Sequence, residues 1–336
     1  MALNSRGLSS SPKIPRGNIV NGNNLAFGRI KSILLDESHP RFEELGGWNA
    51  LGTIEYETVA TPNSSTQLLP VAKPLDPTFR SFPLINEIVY ILALPNTDIG
   101  EFSTTKIQYY ISTVGLWNHP HHNALPYSEG NLSPSQQKSY LQTTLGSPRV
   151  VTDQPTEIYF GETFKERDTI NPLLPFEGDV IYEGRWGNSV RFGSTVKNRP
   201  NDWSSTGTDG DPIMIIRNGQ GINPGNGWQH ITEDINKDLG SIYFGSTQKI
   251  PLDAASISYV SYKSNPPTIP SQYTEKQILI TSGRLVFNSS ADHILLSSNK
   301  SINLNAVDSV NIDTPTTVIQ STNTYIGSKT LLNLYY

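Results

Sequence analysis

The chain has 336 residues, of which 36% are hydrophobic and only 16% charged, with 26 glycines and 24 prolines. This composition argues against a charge-rich disordered chain and favours an all-β protein rich in turns, long enough for two or three domains. A formal net charge of −5 speaks against non-specific nucleic-acid binding, and the absence of cysteine removes disulfides and thiolate metal sites.

In chain order, residues 1–24 are polar and read as an N-terminal arm. They lack the apolar core of a signal peptide, and no later run approaches the ~18 apolar residues of a membrane span. Synthesis in a reducing cytoplasm fits, with other machinery carrying the protein if it acts elsewhere. Residues 25–126 predict five short strands: Phe27–Leu35, Gly52–Ala60, Gln67–Ala72, Ile85–Leu94 and Lys106–Val114. Each is rich in β-branched or other apolar residues and bounded by Gly, Pro, Asn or Asp, which suits an OB-type barrel. Residues 127–176 read as linker, with a short helix expected within Ser133–Leu145.

Residues 177–262 return to strands and form a β-rich base. Asp179–Trp186 and Ser189–Gly193 flank Gly187-Asn188, a hairpin turn pair. Ile213–Ile216 and Ile242–Gly245 are further strands. Phe-Gly-Ser-Thr occurs twice, at 192–195 and 244–247, which points to two similar strand-turn units. Residues 263–277 are a Pro-rich connector.

From Ile278 the chain repeats every eight residues. The first positions are Ile278, Val286, Ile294, Ile302, Val310, Val318, Ile326 and Leu334, every one aliphatic. The third positions are Ile280, Asn288, Leu296, Leu304, Ile312, Gln320, Ser328 and Tyr336, and five of these eight are apolar. Eight is even, so each strand residue returns to the same face. The remaining positions are mostly Ser, Thr, Asn and Asp, whose side chains satisfy turn backbone. A solitary winding chain needs about 18 or more residues per turn to enclose a core, and acyltransferase solenoids repeat at six. Three intertwined copies resolve the shortage, each octad supplying one face of a triangular prism with almost no edge left open. At ~4.7 Å per strand, residues 278–336 would build a shaft of roughly 38 Å.

The octads resemble the intertwined triple-stranded β-helix of central spike proteins in contractile phage tails, a plan shared by type VI secretion spikes. Phe27-Gly28-Arg29-Ile30 resembles the opening strand of the spike OB domain. Pro83 to Val89 resembles its strand entry, with Asn86 in place of the usual Gly, and Trp117 to Pro126 resembles the segment leaving that barrel. Phe176–Thr195 and Glu233–Leu252 resemble the base of the shaft in spikes of large myophages. The resemblance covers most of residues 25–336. It implies an all-β homotrimer: an OB-type barrel, a strand-rich base and a C-terminal triple-stranded β-helix. It also implies a virion location in the tail baseplate, docking on hub proteins at the end of the tail tube, and perforation of the host envelope. The resemblance leaves Tyr335 and Tyr336 either as the apex itself or as the contact for a small tip protein. The lysozyme domain of some relatives has no room in residues 127–176, so a structural protein and not an enzyme is expected. The competing reading is a trimeric receptor-binding or glycan-cleaving tailspike.

Sites of chemistry are scarce. His119, His121 and His122 are the densest set of metal-ligating groups, but no carboxylate or thiol is near and Pro120 favours a polar loop. An iron-binding His-x-His in the shaft is unsupported, since His293 stands alone there. Asp234, Asn236 and Asp238 begin like a calcium loop, then Leu239 stands where Gly is required, so turn chemistry is preferred. Asp209-Gly210-Asp211 also reads as a turn. Glu43 and Glu44 read as solvated surface, and Trp186, Trp203 and Trp228 as covers for a β-rich core. No nucleophile elbow, Walker loop or dinucleotide fingerprint is present, so no cofactor is expected.

Overall fold

The computed structural model describes residues 25–58, 68–76, 78–85, 87–95, 106–113, 170–196, 203–204, 206–221, 230–255 and 267–324. The chain divides into two compact units, Met1–Arg167 and Asp168–Tyr336. Both are built from strands. Helix among the described residues is limited to α1 (Phe42–Leu45) and one 3-10 turn at Gly47–Ala50.

The first unit holds a closed barrel of five strands, β1 (Leu25–Ile33), β2 (Ile54–Thr58), β3 (Val71–Pro74), β4 (Ile88–Pro95) and β5 (Lys106–Thr113). Their order around the barrel is β1-β2-β3-β5-β4, with β3 and β5 parallel and the other pairs antiparallel. Closure removes every free edge and is consistent with the OB-type barrel read from the strand spacing. Inward residues close the core: Ile30, Ile54, Tyr56, Ala72, Val89, Ile91 and Tyr110. Register shifts between Ile30 and Ser32 and between Val89 and Ile91 bend β1 and β4. Tyr110 donates its hydroxyl to the Gly52 carbonyl at 2.8 Å, and burial raises its pKa to about 12. In the Pro83–Val89 segment, the Glu87 carboxylate accepts the Leu84 N–H at 2.7 Å and braces the loop that opens β4.

The second unit is an antiparallel meander of β6 (Val180–Glu183), β7 (Ser189–Ser194), β8 (Pro212–Arg217), β9 (Gly240–Gly245) and β10 (Gln277–Ser282). The β6–β7 hairpin is wider than a two-residue turn. Gly184 N–H donates to the Asn188 carbonyl at 2.8 Å, and Gly187 carries the left-handed φ of +84°. The two Phe-Gly-Ser-Thr words lie on β7 and β9, on either side of β8, and Phe192 and Phe244 both pair with Met214. Their threonines meet around the 206–211 loop: Gln248 Nε2 donates to Thr195 Oγ1 at 2.9 Å, and Thr247 Oγ1 donates to Asp211 Oδ2 at 2.6 Å.

One face of this sheet is covered and the other is open. On the covered side, Phe176, Trp203, Ile235 and Ile250 from the connecting segments pack against Ile213, Ile215 and Tyr243 of the strands. Arg191 and Arg217 also lie on that side, with Ser189 and Ser241 flanking Arg217. On the open side the register aligns two apolar columns across all five strands. The first is Val180, Phe192, Met214, Phe244 and Ile278; the second is Tyr182, Val190, Ile216, Ile242 and Ile280.

Candidate functional site

The octad residues are the sequence-predicted site. Ile278 and Ile280 lie on β10, and Val286, Ile294, Ile302, Val310 and Val318 follow at the eight-residue spacing. From Ile278 to Val318 these first-position side chains are between 52% and 82% exposed. Leu296, Leu304 and Ile312, at third positions, are exposed as well. Beyond Ser282 the described octads form no strand ladder within the chain. Their bonds are local and follow the period: Asn303 Nδ2 donates to Ser301 Oγ at 3.0 Å, and Asn311 Nδ2 donates to Ser309 Oγ at the same distance. These are side-chain pairs at the octad boundaries, while the aliphatic side chains of the first and third positions stay uncovered. Ile326, Leu334, Tyr335 and Tyr336 lie outside the described residues, as do His119, His121, His122, Trp228 and Ser133–Leu145.

Under the covered face of the second unit lies a charge network that spacing in the sequence does not announce. The Arg191 guanidinium, fully buried, donates through Nε to Glu233 Oε1 at 2.7 Å, through Nη1 to Asp179 Oδ2, and through Nη2 to the Leu174 carbonyl at 3.0 Å. The rings of Phe176 and Trp203, packed edge to face 5.6 Å apart, both lie against it, with centroids 5.8 and 5.4 Å from Cζ. Arg191 thereby ties strand β7 to the segments before β6 and before β9. Arg217, also buried, faces Asp238 at 3.8 Å, and its guanidinium nitrogens make no hydrogen bond among the described residues. Burial outweighs that cation and pushes the Asp238 carboxyl up to about 7. Strand phase carries half of the signal: in Ser-Val-Arg-Phe-Gly-Ser, Arg191 must face opposite to Val190 and Phe192, but the phase does not say which side is covered.

Other polar sets resolve into structure. Ser32 Oγ lies 2.6 Å from His39 Nε2, and Glu55 Oε2 lies 3.9 Å from the same nitrogen. Nδ1 accepts the Arg41 N–H at 3.2 Å. A hydrolytic triad needs the carboxylate on Nδ1, where it fixes the tautomer, so this grouping is a brace and not a nucleophile. Glu44 pairs with Arg41 at the surface, which holds its carboxyl below the usual range, and Arg41 also reaches Glu55. Asp234 Oδ1 accepts the Asn236 N–H, its carbonyl accepts those of Lys237 and Asp238, and Asn236 binds Pro251 and the Asp253 N–H. This is turn chemistry, and no cluster able to hold a metal ion occurs among the described residues. Trp203 is buried in the core of the second unit, while Trp186 is half exposed on the β6–β7 loop. No helix among the described residues is long and apolar enough to cross a membrane.

Compared with family models, curated proteins and solved structures, the chain gives no match.

Proposed function

We propose that this chain is the central, envelope-puncturing spike of a contractile phage tail, working as three intertwined copies and by mechanical force, without chemistry. The observation that carries the reading is the aliphatic column. A lone chain leaves every described first-position residue more than half uncovered and, beyond Ser282, its described octad backbone without a ladder. Exposed apolar area on that scale is stabilised only by a partner, and a perfect eight-residue repeat is best met by copies of itself. On this reading the closed barrel docks on hub proteins at the end of the tail tube. The octads form the shaft that perforates the host envelope.

Sedimentation equilibrium or native mass measurement tests the assembly. The expected mass is three times the 37.1 kDa of one chain, and a stable monomer overturns the reading. The axis is tested by Ile302→Asp. Three carboxylates meeting at a dry axis each cost several kcal/mol unless protonated, so assembly or thermal stability must fall sharply. If the variant assembles and melts like the parent, Ile302 is not axial. Glycan cleavage by the purified trimer moves the assignment to a tailspike.

A further inference from the structure

We propose that the hollow beside Trp48, on the loop between β1 and β2, binds an organic ammonium ion, with the indole as its platform and Glu37 and Glu43 as its counter-charges. The site belongs to the barrel unit and goes beyond the puncturing role. The loop is closed at its base by two backbone bonds: Leu34 N–H donates to the Thr53 carbonyl and Gly52 N–H to the Leu34 carbonyl, each at 2.8 Å. Within it, α1 stops at Gly46, whose left-handed φ of +116° favours glycine and whose N–H donates back to the Glu43 carbonyl at 3.2 Å. The chain then enters the 3-10 turn, and Trp48 packs edge to face on Phe42 with ring centroids 5.2 Å apart. Phe42 is buried, whereas Trp48 is 60% exposed. The indole is thus supported by the loop yet open to solvent, beside a hollow of about 820 Å³.

The charge around the hollow selects the ligand. Glu37, Glu43, Glu44 and Arg41 all line it. Arg41 is already spent: Nε and Nη2 donate to the two Glu44 oxygens at 2.8 and 2.6 Å, and Nη1 donates to Glu55. Glu37 and Glu43, both exposed, make no ion pair among the described residues. The rim therefore carries carboxylates in excess beside an aromatic ring. An anion is repelled there, and a metal ion finds no group of ligating side chains able to hold it among the described residues. A cation carried on carbon meets both features. Its positive head is attracted by the electron-rich face of an indole and by the carboxylates, and its methylene chain covers apolar ring surface. The volume suits such a chain better than a lone ammonium ion. The chemistry is that of an alkylammonium, supplied by a free polyamine or by a lysine side chain of a partner protein.

Equilibrium dialysis of the full chain at fixed ionic strength tests the site, with spermidine, the capped tripeptide acetyl-Gly-Lys-Gly-amide and its neutral Gln counterpart as probes. The barrel closes within one chain, so a monomeric protein overturns the trimeric reading and leaves this measurement standing. Spermidine or the lysine peptide should bind saturably at a single site per chain, and the glutamine peptide should not bind. Trp48→Leu keeps every charge and should weaken binding about tenfold, as should Glu37→Gln combined with Glu43→Gln. Asp292→Asn with Asp308→Asn removes the same charge from the exposed octads and should leave binding unchanged. Preference for spermidine assigns a free polyamine, and preference for the peptide assigns a partner's lysine. Binding by Trp48→Leu as tight as that of the parent overturns the inference, since the probe then reports a diffuse acidic surface. Failure of both cations to bind, or binding of maltotriose in their place, overturns it as well. If Trp48→Leu fails to fold, acrylamide quenching of the unaltered protein gives the reading. Saturating spermidine or lysine peptide must then shield part of the indole fluorescence, and unchanged quenching overturns the site.

Discussion

Asp238 is a side chain whose protonation the fold controls. Its carboxyl is buried beside Arg217, and its pKa rises from an ordinary 3.8 to about 7. The folded state therefore holds a proton that the unfolded chain has released, so this group's contribution to stability falls as pH rises from about 4 to about 7. The loss is at most about 4 kcal/mol per chain, and water entry reduces it. Asp238→Asn keeps the shape and removes the titration. The stability difference between parent and Asp238→Asn, from urea unfolding at several pH values, should thus shift in favour of the variant as pH is raised from 4 to 7. A difference flat in pH would show that Asp238 stays ionised against Arg217 throughout. Arg191 contrasts with this pair. With a carboxylate on each of two nitrogens, a carbonyl on the third and a touching pair of aromatic rings beside it, its charge is fully answered and acts as a fastener.

At the scale of elements, the barrel was legible because its strands carry their own punctuation. The runs read from sequence coincide with β1, β2, β4 and β5 to within a few residues, and only β3 moved, toward Pro74, where it pairs parallel with β5. Gly28 shows how tightly β1 and β2 are set. A Cβ there would stand 2.4 Å from Tyr56 Cδ2 and 3.0 Å from Ile91 Cγ1. Gly28→Val should destabilise the barrel by about 1–3 kcal/mol through overpacking, read as an earlier unfolding midpoint in denaturant. An unchanged midpoint would mean that Tyr56 can swing aside without cost. The second unit was legible only in part. Its strands were found, but their apolar columns were not, because the strands are joined by connections of unequal length. Glu183 to Ser189 is a hairpin, whereas Arg217 to Gly240 and Gly245 to Gln277 are long excursions. Unequal connections erase any period along the chain, and only cross-strand register restores the line. Arg191 and Arg217 were hidden for a related reason. Alternation shows that they face opposite to Phe192 and Met214, but not that the charged side is the covered one.

For the molecule as a whole, the octads invert the usual relation between sequence and fold. Their period is plain in the sequence, yet beyond Ser282 the described octads join no strand ladder within one chain, so on the proposed reading other copies have to supply their packing. The third positions carry the sharpest remaining test. Asn288, Gln320 and Ser328 interrupt a column otherwise filled by Ile280, Leu296, Leu304, Ile312 and Tyr336. In a trimer whose third column points inward, three Asn288 side chains share one layer of a dry core. Each buried amide left short of partners costs about 1–3 kcal/mol, although such a layer can also fix the register of the strands. Asn288→Leu should therefore raise the unfolding temperature of the assembly by several degrees. Asn303→Leu, at a second position, points outward beside Ser301 and should leave that temperature unchanged while lowering solubility. If the two substitutions behave alike, the third column faces solvent, and the shaft has one dry column per chain instead of two. Scanning calorimetry of the two variants beside the parent separates these outcomes, because only the inward column couples the substitution to all three chains at once.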